Sequence, residues 1–346
     1  MPRPFFDILR KRRCDLTVAV CLAAILLVGS AADLASQPVC AVCGGAISGQ
    51  YYELDGRVYH VSCFTRNVAP RCGVCGQPLL DEYVVQEGKT YHRRCFETQV
   101  ALRCAVCNGI IEGQYLVDSR GNPYHGWHAE EVPICRFCGR LTSDNAAGGA
   151  VAFDDKNFIC RSCRSGAVDD RRRAKSLLAE VRAALDSIGI SLDIDDIDLR
   201  LADRSELSRV IGVAEADNFG VAQERTVTRF FGTLKEREYS VIILKGLPRW
   251  HFTATAAHEL MHLWLYRNGV KGMDRRMAEG SCDYASILVL RRFDDPMAAQ
   301  VIGQIESNPA DIYGEGCRRV KRLGDTRGVA YWLEHLRFDP DFPLGY

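Results

Sequence analysis

The feature that most restricts this chain is a set of metal-ligand side chains repeated four times at nearly constant spacing. Cys40-x-x-Cys43 is followed after sixteen residues by His60-x-x-Cys63, and Cys72-x-x-Cys75 after sixteen by His92-x-x-Cys95. Cys104-x-x-Cys107 leads after seventeen to His125-x-x-His128, and Cys135-x-x-Cys138 after twenty-one to Cys160-x-x-Cys163. The modules start 32, 32 and 31 residues apart, which makes this an internal repeat. Each offers four nitrogen or sulfur ligands in two paired halves, the set that tetrahedral structural zinc takes. A disulfide framework has no reason to put His60, His92 and His125 at one point of each repeat, so the spacing favours zinc. Most of the chain's 16 cysteines lie in this region.

Local chemistry agrees. Cys43-Gly-Gly45, Cys75-Gly-Gln-Pro78 and Cys107-Asn-Gly109 supply the turn residues of a metal-binding knuckle. Tyr51, Tyr52, Val58 and Tyr59 predict a short hairpin before the second ligand pair. Modules this small cannot bury enough apolar surface to fold alone, so the metals hold the fold. Each module has four ligands, which leaves no open position for catalysis.

From Asp169 the composition changes. Residues 171–188 read as an amphipathic helix with Leu177, Leu178, Val181, Ala184, Leu185 and Ile188 on one face. Residues 193–201 alternate like a half-exposed strand, and Ser240–Leu244 is a short apolar strand ended by Gly246 and Pro248. The stretch from Phe252 to Gly269 then reads as a helix carrying H-E-x-x-H at His258, Glu259 and His262. Four-residue spacing puts both imidazoles on one face, able to reach one metal, with Glu259 beside them as general base. A catalytic zinc takes three protein ligands. Glu279, at the start of another apparent helix, is the candidate for the third. Asp283, one turn on, is placed to orient a ligand histidine. Cys282 reads as a packed core thiol. Tyr284, Tyr313, Tyr331 and His335 are all candidates to stabilise an oxyanion, and Ser240–Leu244 is a candidate to align an extended substrate by edge pairing. Further helices are expected at 275–292, 296–306, 311–323 and 326–337.

With these residues in place, the chain resembles the LIM-domain zinc metallopeptidases typified by the ubiquitin-activated regulators of plant organ size. The most specific pieces are Gly246-Leu-Pro-Arg249, Ala257-His-Glu-Leu-Met-His262, Glu279-Gly-Ser-Cys282, Gln304-Ile-Glu-Ser307, Tyr313-Gly-Glu-Gly316 and Leu333-Glu-His335. The resemblance runs from about Cys40 to Pro343. It implies endopeptidase activity on protein substrates, zinc ligation by His258, His262 and Glu279, Glu259 as general base, and LIM or LIM-like fingers. Three departures stand out. Eight residues separate Cys63 from Cys72 and six separate His128 from Cys135, where LIM fingers usually have two. No ubiquitin-interacting helix pattern precedes the fingers. The N-terminal segment is also unlike that of cytosolic relatives, and reads as that of a bacterial-type relative with a signal or anchor.

That segment has Arg3, Arg10, Lys11, Arg12 and Arg13 before an apolar run from about Leu16 to Val28, then small residues with Ser30 and Ala32 placed for cleavage. The run is shorter than the roughly 20 residues of a spanning helix, although Ala31 and Ala32 extend it toward an uncleaved anchor. An exported or membrane-anchored, extracytoplasmic protein is therefore expected, with a cytoplasmic one as the alternative. The formal net charge of zero and interleaved acids and bases argue against a nucleic-acid partner.

The expected architecture is α+β. Residues 1–32 form a signal peptide or membrane anchor, and 33–166 four LIM-like zinc modules of short β-hairpins. Residues 167–346 form a zincin-type metallopeptidase domain. Zn2+ is expected at one catalytic and about four structural sites. The modules would recruit protein substrates, bind protein partners or regulate activity. The alternative function is a zinc-finger adaptor or scaffold with a latent or inactive peptidase domain.

Overall fold

A computed structural model describes residues 12–14, 17–19, 37–154, 156–212, 218–229 and 234–339. It divides into two compact units, Leu9–Val132 and a larger one that begins again at Pro133.

In the first unit the repeat is visible as structure. Each of its three modules opens with a knuckle closed by an isolated bridge: Val39 with Ala46, Arg71 with Pro78, Arg103 with Ile110. A hairpin follows each knuckle, and these are Tyr51–Leu54 with Arg57–His60, Tyr83–Gln86 with Lys89–His92, and Gly113–Val117 with Pro123–Tyr124. A short helix then carries the last ligand: Val61–Asn67, Arg93–Gln99 and His128–Glu131. The apolar cores are correspondingly small. Phe64 in one module and Phe96 in the next pack against a hairpin tyrosine, Tyr59 and Tyr91.

Two pieces of the segment read as signal or anchor are extended instead. Arg12–Cys14 pairs with Gly113–Val117, and Thr17–Ala19, inside the apolar run, pairs with Tyr83–Gln86. The rest of that segment lies outside the described residues.

The fourth module has the same plan, with a bridge between Ile134 and Leu141, a hairpin of Ala150–Ala152 with Phe158–Cys160, and a helix Arg161–Ser165. It belongs to the second unit. Cys135, Phe137, Cys138, Ile159 and Cys160 are part of that unit's main apolar core.

The core of the second unit is a three-stranded sheet covered by helices. Strands β1 (Asp198–Ala202), β2 (Gly220–Arg229) and β3 (Leu234–Leu244) stand in the order β1-β3-β2. β1 is parallel and β2 antiparallel to β3. The helices are α1 (Arg171–Ser187), α2 (Arg204–Ile211), α3 (Arg249–Arg267), α4 (Arg275–Leu290), α5 (Pro296–Glu306), α6 (Gly316–Arg327) and α7 (Val329–Phe338). Asp170, Asp203, Asp274 and Asp295 cap α1, α2, α4 and α5 through their side chains, each accepting from orphan amides of the first turn.

α3 is apolar nearly all round and sits inside the unit, packed against α1, α4, β2 and β3. α4 and α6 cross backbone to backbone. A Cβ on Gly280 would fall 2.4 Å from the carbonyl carbon of Gly316, and one on Gly316 would fall 2.4 Å from the Arg276 carbonyl oxygen. Only glycine permits that approach.

Three boundaries differ from the sequence reading. The first strand starts at Asp198, because the preceding residues are a connector: Arg182 donates to the carbonyls of Leu192 and Ile194, and Arg267 to that of Asp193. The second apolar strand is longer, Leu234–Leu244. The helix expected at 311–323 opens with a π-helical turn, Asp311–Glu315, before α6.

Candidate metal centre

The sixteen module ligands come together as four clusters: Cys40, Cys43, His60, Cys63; Cys72, Cys75, His92, Cys95; Cys104, Cys107, His125, His128; and Cys135, Cys138, Cys160, Cys163. In the first three, one histidine turns Nδ1 toward a cysteine sulfur, with His60 3.4 Å from Cys43, His92 3.4 Å from Cys75 and His125 3.5 Å from Cys107. Its Nε2–H donates to a backbone carbonyl, that of Ala46, Pro78 or Ile110. Such a bond fixes the tautomer and leaves Nδ1 as the lone-pair donor. His128 is reversed. Its Nδ1 lies 2.8 Å from Glu131 Oε2, and its buried Nε2 has no protein partner. A buried nitrogen with nothing to bond needs an explanation, and a cation among these ligands supplies it. Burial works against the thiolates of Cys40 and Cys72, but amide donors outweigh it and hold both thiols well below their ordinary range. The donor sets thus fit zinc.

The fifth cluster lies on α3 and α4. His258 and His262 sit one turn apart with ring centroids 4.9 Å apart. Glu279, five residues after the Asp274 cap, brings Oε2 to 3.2 Å from His258 Nε2 and 3.6 Å from His262 Nε2. Asp283, one turn further along α4, takes the other side of the first ring, with Oδ1 2.9 Å from His258 Nδ1. That bond makes Nδ1 the donor and leaves Nε2 facing Glu279. Burial opposes a charge on Glu279, yet hydrogen bonds with His258 and His262 hold its carboxyl well below the usual range. Two imidazole nitrogens and a carboxylate oxygen converging this closely fit a shared cation.

Glu259 is buried beside the pair, and burial pushes its carboxyl up against the pull of the two histidines. A backbone hydrogen bond from Ala222 of β2 reaches it. β2 lies so close that a Cβ on Gly220 would stand 2.9 Å from Glu259 Oε1. Sequence reasoning missed this contact, because nothing in the spacing of residues 220–222 connects them to position 259.

Cys282 is fully buried, as a core thiol should be, but its sulfur lies within 4.8 Å of the ligand nitrogens of both histidines. Burial holds it as a thiol, its pKa well above the ordinary value. The four oxyanion candidates separate. Tyr284 is buried with its hydroxyl on Asp325, 2.9 Å away, and Tyr331 stacks on His335. Tyr313, on the π-turn packed against α4, feels the charges of Glu279 and His258 and bonds Asn218 just before β2. The strand expected to align a substrate is corrected. β3 is the central strand, with partners on both sides, and the strand beside α3 with only one described partner is β2.

Residues 40–100 match the LIM domain family model, and residues 205–293 match the one described as DA1-like, Protein DA1. The chain is homologous to the plant DA1 and HDR3 proteins. Protein DA1 of Arabidopsis thaliana is 22% identical over 295 residues, covering 66% of this chain and 54% of that protein. Protein DA1-related 2 of the same plant is 25% identical over 298 residues, covering 66% and 56%. The LIM domain-containing protein HDR3 of Oryza sativa subsp. japonica is 24% identical over 298 residues, covering 66% and 59%. The chain therefore spans somewhat more than half the length of these curated relatives. LIM domains are protein-interaction modules.

The expectation of an exported or membrane-anchored protein is corrected. The matching relatives are plant DA1 proteins, which gives no support to a bacterial-type relative with a signal or anchor. Part of the supposed signal run is a paired strand. No described helix is long and apolar enough to cross a membrane.

Proposed function

We propose that the chain is a zinc-dependent endopeptidase acting on protein substrates, its second unit a zincin-type domain. The observation that carries this is the convergence of His258, His262 and Glu279 with buried Glu259 beside them. His258, His262 and Glu279 would hold the metal. When bound there, zinc supplies Lewis-acid activation of water and of a peptide carbonyl.

The chain's own residues supply the rest. Asp283 holds the His258 ring in one tautomer and orientation. Glu259 takes the proton from the attacking water and delivers it to the leaving nitrogen, and its burial keeps its proton affinity high enough for the second task. The side of β2 that has no strand partner among the described residues accepts an extended peptide as an added strand next to α3. Tyr313, which feels the charges of Glu279 and His258, would be the donor to the developing oxyanion. The LIM-like modules hold structural zinc and recruit substrates or regulate access.

Cleavage of fluorescein-labelled casein by wild type and Glu259→Gln tests this. The variant is expected to keep its zinc and lose about 100- to 10,000-fold in kcat, the range of a general base. Equal cleavage by both would remove Glu259 from the mechanism. Full zinc with no cleavage by wild type would favour the adaptor reading.

A further inference from the structure

The fourth module does more than hold itself together. Phe137, inside its first knuckle between Cys135 and Cys138, is buried and touches three rings. It meets Phe153 and His251 edge-on at 4.8 Å and Phe219 at 5.8 Å. Phe219 also lies under two guanidinium groups, with Arg136 5.8 Å and Arg204 5.9 Å from its ring centre. Its carbonyl accepts from Leu244 N–H at 2.8 Å. Phe219 is thus fixed by ring contacts and backbone, and the next residue is Gly220, the point where β2 lies on Glu259.

The knuckle itself is clasped from the other side. Gln300 and Gln304, one turn apart on α5, donate to the carbonyls of Cys138 and Phe137 at 2.7 and 2.6 Å. Because the Gln304 amide nitrogen donates to Phe137, its oxygen must accept, and it faces His251 Nε2 at 3.1 Å. His251 stands on α3, eight residues before Glu259. The contacts therefore close a circuit from α3 through Gln304, the knuckle, Phe219 and Gly220 back to α3. β2 is hydrogen-bonded on one side only among the described residues, so its start depends on this support.

We infer that the fourth knuckle is a positioning element for the general base: Gln304 holds the knuckle at Phe137, Phe137 packs on Phe219, and Phe219 keeps the Gly220–Ala222 stretch against Glu259. The inference rests on the peptidase reading for its catalytic consequence, but not for its structural one. It also accounts for Gln304, a residue outside the metal site.

The test uses the full chain with Phe219→Ala, Phe219→Leu and Gln304→Leu. All three are expected to keep wild-type zinc content. Amide exchange over 220–224 should speed up about tenfold or more in Phe219→Ala and Gln304→Leu while exchange in the first three modules is unchanged. On fluorescein-casein, kcat should fall about 10- to 100-fold with KM within about twofold, and Phe219→Leu should recover most of the loss. Wild-type exchange over 220–224 in Gln304→Leu overturns the inference, as does undiminished kcat in Phe219→Ala. If Phe219→Ala does not fold, Phe219→Leu and Gln304→Leu decide by the same exchange readout. If wild type cleaves nothing, the peptidase reading fails while exchange still decides the positioning role.

Discussion

At the scale of single residues, two of the three histidines on α3, seven residues apart, have opposite surroundings. His258 sits between two carboxylates, which overcome burial and raise its proton affinity well above the ordinary range. His251, seven residues earlier, is buried against Phe137 with only the amide of Gln304 as partner. Burial pushes its pKa down from 6.5 to about 4. The folded chain therefore keeps His251 neutral while the unfolded chain binds a proton between those values. Its contribution to stability is complete above pH 6.5 and is lost as pH falls toward 4, at up to about 1.4 kcal/mol per pH unit. His251→Gln, which keeps a donor toward Gln304, removes that titration. The stability gap between wild type and variant, measured by denaturant unfolding, should shift by about 1 kcal/mol against wild type between pH 7 and 5.5. A gap independent of pH would mean that His251 is not held neutral.

At the scale of elements, the four modules share a plan but differ in protection. Cys43, Cys75 and Cys107 are exposed, one in each of the first three modules, whereas Cys135, Cys138, Cys160 and Cys163 are all buried. An organomercurial needs access to a sulfur to displace metal. Titrated with one, the chain should release about three zinc ions quickly and the zinc of the fourth module only after a slow phase. Simultaneous release of all four would show that burial of the fourth module in the second unit's core gives no protection. The difference follows from where each module finds its apolar partners. The first two rely on a few rings of their own, and the fourth joins the core around α3.

At the scale of the molecule, what could be read from sequence was whatever is local. The four ligand sets, the knuckles and hairpins, and the helix bearing His258 and His262 follow from spacing and turn chemistry. Glu279 and Asp283 could be placed because they share a helix face one turn apart. What could not be read is set by long-range contact. Nothing at Gly220 announces that β2 lies on Glu259, and the apolar run Ser240–Leu244 looks the same whether it is an edge or, as here, a central strand. That Gly280 and Gly316 bring two helix backbones into contact is likewise set by the fold and not by local spacing. The N-terminal run misled for a related reason: a short apolar stretch after arginines fits a signal sequence, and equally a strand such as Thr17–Ala19 that pairs with a distant hairpin.

The proposed metal site of His258, His262 and Glu279 is a fifth one, separate from the four modules. The most direct measurement is zinc content per chain for wild type and for His258→Ala/His262→Ala, by mass spectrometry of the metal in folded protein. The four modules and the site on α3 and α4 predict about five zinc ions in wild type and about four in the double variant, with casein cleavage gone. Equal zinc in both proteins, or cleavage that survives the double substitution, would mean that these residues hold no catalytic metal.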